Sequence, residues 1–314
     1  MILALAGGVG GAKLACGLAM QLQPERLLIV VNTGDDFVHL GLSISPDLDT
    51  VMYWLAGIND STRGWGLTDE SWNFMAALEQ LGGLIWFKLG DRDLATHIER
   101  TRRLTCGQQL SEVTRFLCNK LGVRHRVAPM TDQAVRTIVY TDEGALEFQH
   151  YFVRRQCAPH VRGLEYSGAS GAAPSTAFDK ALSRNDLEAI IICPSNPLLS
   201  IDPILAIEDV RGRIKRQHAP VVAVSPIVGG RAIKGPAAKI LTELGRDPTA
   251  FEIARHYAGL IDGIVIDEID AELRQKIEQL GLRVAITDTV MKTREDQSRL
   301  AATAIQLAAH IRAL

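Results

Sequence analysis

Residues 1–36 run MILALAGGVGGAKLACGLAMQLQPERLLIVVNTGDD, and their order decides the fold. Ile2–Ala6 is a short apolar run, Gly7–Gly11 is a glycine cluster, and a helical pattern of small and apolar residues extends from Ala12 to about Gln21. A second apolar run, Leu27–Val31, ends in Asn32-Thr33-Gly34-Asp35-Asp36. Strand, glycine turn, helix, strand is the opening unit of a doubly wound α/β fold. The two strands are apolar throughout rather than alternating, the pattern of a parallel sheet covered on both faces.

Outward from this unit the chain predicts a Rossmann-like, mostly parallel sheet with helices on both faces and an insertion. Asp49 to about Gly122 reads mainly helical, with Trp54, Trp72 and Trp86 on its apolar faces. Arg136–Tyr140 and Ala145–Phe152 are β-branched and aromatic and are joined by Thr141-Asp142-Glu143-Gly144, which predicts a hairpin. Gly163–Pro174 reads as a flexible loop. Strands are then expected at Ala189–Cys193, Val221–Ser225, Gly263–Ile266 and Arg283–Ile286. Helices are expected at Pro203–Arg216, Pro236–Leu244, Ala250–Ala258, Ala271–Gln279 and Glu295–Ile311. The simplest organisation is a single domain with its core at about 1–48 and 187–314. The helical and hairpin insertion, about 49–186, would lie over the strand ends.

Composition narrows the class. The 314 residues are 47% hydrophobic and 22% charged, enough for a large core and too apolar for disorder. Thirty-four Lys and Arg against 36 Asp and Glu leave a net charge of −2, which argues against nucleic acid as the main partner. The basic groups Arg100, Arg102, Arg103 and Arg211, Arg213, Lys215, Arg216 read as solvated helix faces. Five scattered cysteines without a CxxC pair read as reduced thiols rather than disulfides or a zinc site. No apolar run approaches the roughly 20 residues of a membrane helix. The apolar N-terminus lacks the cationic region of a signal peptide, so a cytoplasmic protein with no membrane partner is expected.

Candidate chemistry gathers where strands end. Gly8, Val9, Gly10 and Gly11, with Lys13 behind them, offer backbone N–H groups and a helix N-terminus to an anion. The segment is neither a Walker loop, which needs Gly-Lys-Ser/Thr, nor a dinucleotide fingerprint, which needs glycine where Lys13 stands. Four glycines exceed what a tight turn requires, so a phosphate cradle is favoured. Asn32, Thr33, Asp35 and Asp36 at the end of the second strand suit a ribose, a metal ion or a simple turn. Asp47 and Asp49 follow Pro46 and can converge on one hard cation or one hydroxyl proton.

In Gly90-Asp91-Arg92-Asp93, Arg92 looks held by the acids on either side for an outside anion or ring, and His97 shares the helical face of Asp93. Ser195, Asn196 and Ser200 after one later strand, and Ser225 and Gly229 after another, complete a set of polar groups at four strand ends.

These residues carry a resemblance. GGVGGAKL, VNTGDDF, LSISPDLDTVMYWLAG, RGWG, WFKLGDRDLATH, PSNPLLSI and SPIVGG…KGPAAK, in that order, are similar to the 2-phospho-L-lactate transferase family of deazaflavin coenzyme F-420 biosynthesis. The resemblance implies a homodimeric, Mg²⁺-assisted enzyme with a Rossmann-like core. Its donor would be a guanosine diphosphate-linked three-carbon acid. The phosphoacid moiety would pass to the ribityl 5′-hydroxyl of 7,8-didemethyl-8-hydroxy-5-deazariboflavin, with release of GMP. It places the phosphates on the glycine loop, the deazaflavin at Asp49 and Arg92, and the metal among Asp35, Asp36, Asp47 and Asp49. Within that scheme Asp49 is the first candidate for taking the hydroxyl proton and Asp47 the second, with Asp91 and Asp93 supporting Arg92. Phospholactate, phosphoenolpyruvate and phosphoglycerate are not told apart by any motif. Two other readings remain at this point: a nucleotide-binding regulatory protein related to the family, and a nicotinamide-dependent oxidoreductase with Asp35 or Asp36 on the ribose.

Overall fold

Seven strands pair in one parallel sheet: β1 (Ile2–Ala6), β2 (Leu27–Val31), β3 (Arg126–Pro129), β4 (Ala189–Ile192), β5 (Val221–Val224), β6 (Gly263–Ile266) and β7 (Arg283–Ile286). The computed structural model describes all 314 residues. The strand order is β7-β6-β5-β4-β1-β2-β3, so the chain builds outward from β1 in one direction and from β4 in the other. The sheet therefore reverses its order between β1 and β4, the place where α/β folds leave a crevice beyond the strand ends.

Residue type explains the sheet. LLIVV, AIII and VVAV are mostly β-branched and are buried on both faces. Because side chains alternate, each strand feeds two cores: Leu3, Leu5, Val30 and Ile192 lie in one, and Ile2, Ala4, Ile29 and Ile191 in the other. Each such Leu or Ile contributes about 1.5–3 kcal/mol on burial. The second core is closed by helix α1 (Gly8–Gln21) packed on the C-terminal helix Arg294–Arg312 and on α2 (Pro46–Ala56). Gly17 permits that first crossing, since a Cβ there would lie 2.1 Å from the Gln297 carbonyl oxygen.

Three further helices, α3 (Asn73–Gln80), α4 (Asp91–Thr105) and α5 (Leu110–Lys120), make up the helical insertion. It is not continuous with the hairpin, because β3 intervenes as the sheet's edge strand beside β2. The inserted material is thus two pieces rather than the single block 49–186. The second piece is a three-stranded antiparallel sheet, in which Val161–Ser167 pairs with Arg136–Thr141. The part of the expected loop from Gly163 to Ser167 is therefore strand, half-exposed and with its charges on the open positions.

The partner strand of the hairpin ends at Glu147, and His150–Arg154 turns into a π-helix. The helix expected over Pro203–Arg216 is two short ones, Asp202–Ala206 and Val210–Lys215, broken where Asp209 adopts a left-handed φ of 56°. Ala271–Gln279 likewise divides into a 3₁₀ turn, Glu268–Leu273, and a short helix, Arg274–Glu278. No helix is long and apolar enough to cross a membrane.

Candidate active site at the sheet's reversal point

The glycine cluster is not a loop. Helix α1 begins at Gly8, with only Gly7 between it and β1, so Gly8–Gly11 form the first helical turn. Packing accounts for these glycines. A Cβ at Gly7 would lie 2.3 Å from Asp47 Oδ2, one at Gly10 2.2 Å from the Pro194 carbonyl oxygen, and one at Gly11 2.5 Å from Ser195 Oγ, while Gly8 has φ +60°. The surplus of glycine is thus what lets α1 start flush against the ends of β4 and α2. What it leaves for a ligand is the first-turn amides of Val9, Gly10 and Gly11, which have no partner within the helix.

Asp47 stands at the centre of this turn. Its Oδ1 accepts the Gly8 N–H at 2.7 Å, and its Oδ2 accepts from Asn32 Nδ2 at 3.0 Å and Ser200 Oγ at 3.2 Å. Asn32 also donates to Asp35 Oδ1 at 3.2 Å and to the Leu199 carbonyl at 3.2 Å, so its amide is shared among three acceptors. Asp35 Oδ2 in turn accepts the Asp47 N–H at 3.1 Å. Burial first, and then the neighbouring carboxylates of Asp47 and Asp36, hold the Asp35 carboxyl well above the usual carboxylate range. Burial also raises Asp47, against the hydrogen bonds from Asn32, Gly8 and Ser200.

Asp35 and Asp47 are thus two buried carboxylates tied through one amide, beside a helix N-terminus. No three acidic, His or Cys residues stand close enough to hold an ion among themselves. The residues fit a cation of the Mg²⁺ type, which commonly takes one or two carboxylates and completes its shell with water and substrate phosphates.

Asp36 and Asp49 do not join that pair, so the four aspartates do not share one ion and Asp47 and Asp49 do not converge. Two residues apart on the first turns of α2, they leave the helix in different directions. Asp49 meets Arg100, which donates from Nη1 to Oδ2 at 3.0 Å and from Nη2 to Oδ1. Both Asp49 oxygens are therefore held by a buried guanidinium, whereas those of Asp47 accept only from neutral donors, which places Asp47 ahead of Asp49 as a candidate for the hydroxyl proton. Arg100 is 1% exposed and is not part of a solvated basic face, unlike Arg102 and Arg103, which pair with Glu99 at the surface. His97 lies between Asp49 and Asp93, and Asp93 accepts the Tyr53 hydroxyl at 2.6 Å. Asp36 accepts from Ser45 Oγ at 2.8 Å, and burial pushes its carboxyl up to about 7.

Arg92 is exposed, but neither neighbouring acid holds it. Its Nη1 donates to the Thr68 carbonyl at 2.8 Å, and Glu70 accepts its backbone N–H at 2.6 Å. Asp91 instead caps α3 by accepting the N–H groups of Asn73 and Phe74 and the Ser71 hydroxyl. Asp93 turns inward to Tyr53. Lys13 Nζ donates to the Met291 carbonyl at 2.6 Å and lies 5.5 Å from the Trp54 ring centroid. Burial and the nearby Lys234 lower its pKa. Lys234 Nζ reaches so close to Gly64 that a Cβ there would lie 2.6 Å from it and 3.3 Å from Val9.

The later strand ends contribute mainly to the frame. Ser195 Oγ accepts the Gly7 N–H at 3.0 Å. Asn196 Oδ1 caps the turn Pro197–Ile201, while its buried Nδ2, like Thr33 Oγ1, has no partner. Ser225 closes its own turn on Ile227, and Gly229 donates to Asp270 Oδ2 at 3.0 Å, both at the end of β5 rather than beside the Asp47 pair.

Two residues escaped sequence reasoning. Glu70 carries no local signal, whereas Ser200 and Lys234 already stood in the marked strand-end turns PSNPLLSI and SPIVGG…KGPAAK. Arg100 had a signal: Asp93, His97 and Arg100 fall at i, i+4 and i+7, a polar stripe on one helix face.

Residues 2–306 match the family described as 2-phospho-L-lactate transferase CofD. The chain belongs to that family. Among its relatives, a phosphoenolpyruvate transferase of Kitasatospora aureofaciens is 40% identical over 318 residues, covering 99% of this chain and 98% of the relative. A 2-phospho-L-lactate transferase of Methanopyrus kandleri is 39% identical over 308 residues, covering 96% of each. One of Methanosarcina mazei is 36% identical over 300 residues, covering 96% of this chain and 98% of the relative. A UPF0052-family protein of Bacillus halodurans shares the fold, with a TM-score of 0.64 at 14% identity over 97% of this chain and 98% of the other. For this member of the transferase family, the likeness to named relatives spans both the sheet and the two inserted pieces.

Proposed function

We propose that this transferase moves the phosphoacid moiety of a guanosine diphosphate-linked three-carbon acid onto the ribityl 5′-hydroxyl of a deazaflavin, releasing GMP, as in coenzyme F-420 biosynthesis. The observation that carries the reading is the Asp35–Asn32–Asp47 set against the first turn of α1 at the sheet's reversal point. Such a set suits a diphosphate, whose cleavage needs charge neutralised on phosphoryl oxygens rather than elaborate covalent chemistry.

The donor's phosphates lie on the amides of Val9, Gly10 and Gly11, with Lys13 and Lys234 at the rim. Asp35, with Asp47 beside it, would hold Mg²⁺, which when bound supplies charge neutralisation and orientation of the phosphates. The acceptor hydroxyl oxygen bonds to the phosphorus that carries the acid, the bond from that phosphorus to the bridging oxygen breaks, and GMP leaves with the bridging oxygen. The hydroxyl proton passes to a carboxylate, for which Asp47 replaces Asp49. Arg92, free of any carboxylate partner, serves the deazaflavin ring.

Relatives named for phosphoenolpyruvate and for phospholactate are 40% and 39% identical, so neither acid is favoured by likeness. The test is mass spectrometry of reactions containing the protein, Mg²⁺, the deazaflavin and, separately, the lactate, enolpyruvate and glycerate adducts. One adduct giving a phosphoacid-linked deazaflavin with stoichiometric GMP supports the reading and names the donor. Absence of product with all three, while guanine nucleotide still binds, refutes it in favour of a regulatory role.

A further inference from the structure

The proposed chemistry leaves unexplained a buried polar array beside the site. Asp49, Arg100, His97, Asp93 and Tyr53 are each 8% exposed or less. Arg100 grips both oxygens of Asp49, and its Nη1 also lies 3.2 Å from His97 Nδ1. His97 Nε2 faces Asp93 Oδ2 at 3.4 Å without an aligned hydrogen bond, and Tyr53 donates to Asp93. Thr101, on the same helix as Arg100, accepts the Ser43 N–H at 2.8 Å. The array thus pins α4 to α2 and to the segment Leu42–Ile44, just before Ser45, whose hydroxyl is held by Asp36.

Stability is a poor explanation for it. Burying an ion pair sacrifices so much hydration that a well-packed apolar pair of similar volume is often as stable or more so. The helices it joins carry the two halves of the site. Asp47, facing α1, is on α2 two residues from Asp49, and Arg92 is on α4, two turns before Arg100.

We propose that the array is a positioning device for the transfer reaction. Arg100 and His97, acting through Asp49, set the spacing of α2 and α4, and hence the placement of the acceptor held at Arg92 relative to the donor at Asp47. This rests on the proposed transfer between a diphosphate donor and a hydroxyl acceptor.

The experiment uses the full chain and the donor that wild type turns over, with KM for each substrate, kcat and the urea unfolding midpoint measured for every variant. Arg100→Lys keeps the charge but loses the two-pronged geometry. It is expected to raise acceptor KM or lower kcat at least tenfold while donor KM stays within threefold. The pair Asp49→Leu with Arg100→Met is expected to keep the wild-type midpoint and still lose turnover tenfold or more. Arg102→Met, on the exposed face of the same helix, is expected to match wild type.

If Arg100→Lys turns over like wild type, or if the apolar pair restores both midpoint and turnover, the array is merely structural and the proposal fails. Should the apolar pair not fold, Arg100→Lys and His97→Asn decide alone, by the same split between acceptor and donor KM. Failure of wild type itself to transfer refutes the functional reading instead.

Discussion

Replacing Gly17 by alanine sets two known effects against each other. In a helix interior alanine is favoured over glycine by about 1 kcal/mol, so helix propensity alone predicts a gain. The crossing of α1 over the C-terminal helix predicts the opposite. The new Cβ would sit 2.1 Å from the Gln297 carbonyl oxygen, 2.7 Å from its carbon and 3.0 Å from Ala301 Cβ, where ordinary contact begins at 3.4 Å. Two of those atoms are backbone, so no side chain can swing aside and one helix must move by more than an ångström. That shift loosens the contacts of Leu14, Leu18, Leu300 and Ala304, all fully buried.

Overpacking of this kind costs about 1–3 kcal/mol or more, and with both colliding groups rigid the upper part of that range applies. The net expectation for Gly17→Ala is a loss of about 1–2 kcal/mol after the propensity gain is subtracted. Gly212, in the helix Val210–Lys215, supplies the contrast. Its Cβ would meet Asp209 Oδ1 at 2.5 Å and Arg216 Nη1 at 3.1 Å, both ends of flexible surface side chains. Gly212→Ala is therefore expected to raise stability by up to about 1 kcal/mol. Urea unfolding followed by circular dichroism measures both. A gain at Gly17, or losses of equal size at the two positions, would refute the packing argument.

Two further predictions concern single side chains. Arg92→Ala removes only one hydrogen bond, to the Thr68 carbonyl, so it should leave the unfolding midpoint within error while raising the acceptor KM tenfold or more; steady-state kinetics checks this. Asp91 is held down to about 2, chiefly by the Phe74 N–H and the Ser71 hydroxyl. A depressed carboxyl contributes stability that is complete above its unfolded pKa of about 3.9. That stability is lost as pH falls through 2. Wild type should accordingly lose stability more steeply between pH 4 and 2 than Asp91→Asn, as acid titrations of the unfolding midpoint would show.

The sheet was legible because its strands announce themselves. Ile2–Ala6, Leu27–Val31, Gly263–Ile266 and Arg283–Ile286 fall where apolar runs end against polar or glycine residues. Arg126–Pro129 was missed because four residues opening on arginine and closing on proline carry little strand signal, and only pairing with β2 at the sheet edge makes them one. Val161–Ser167 was missed for a related reason: its glycine and charges sit on open positions that local pattern cannot distinguish from a loop.

In the site, the strand ends could be found but not their partners. Glycine's poor helix propensity made Gly8–Gly11 read as a loop, whereas contacts with Pro194, Ser195 and Asp47, far away in sequence, permit a helix there. The same limit separated Asp47 from Asp49. Spacing of two places carboxylates near one another in the chain, but helix rotation sends one to Gly8 and the other to Arg100.

The claim that Asp47 stands at the reacting centre is tested most directly by single-turnover kinetics of Asp47→Asn. Asparagine keeps the size of the side chain and an oxygen to accept the Gly8 N–H, but removes the charge and the proton acceptor. With donor prebound, saturating Mg²⁺ and excess deazaflavin, the rate of GMP release should fall at least a hundredfold while donor affinity changes less than tenfold. A rate within threefold of wild type would contradict the account and move the chemistry away from the end of β1.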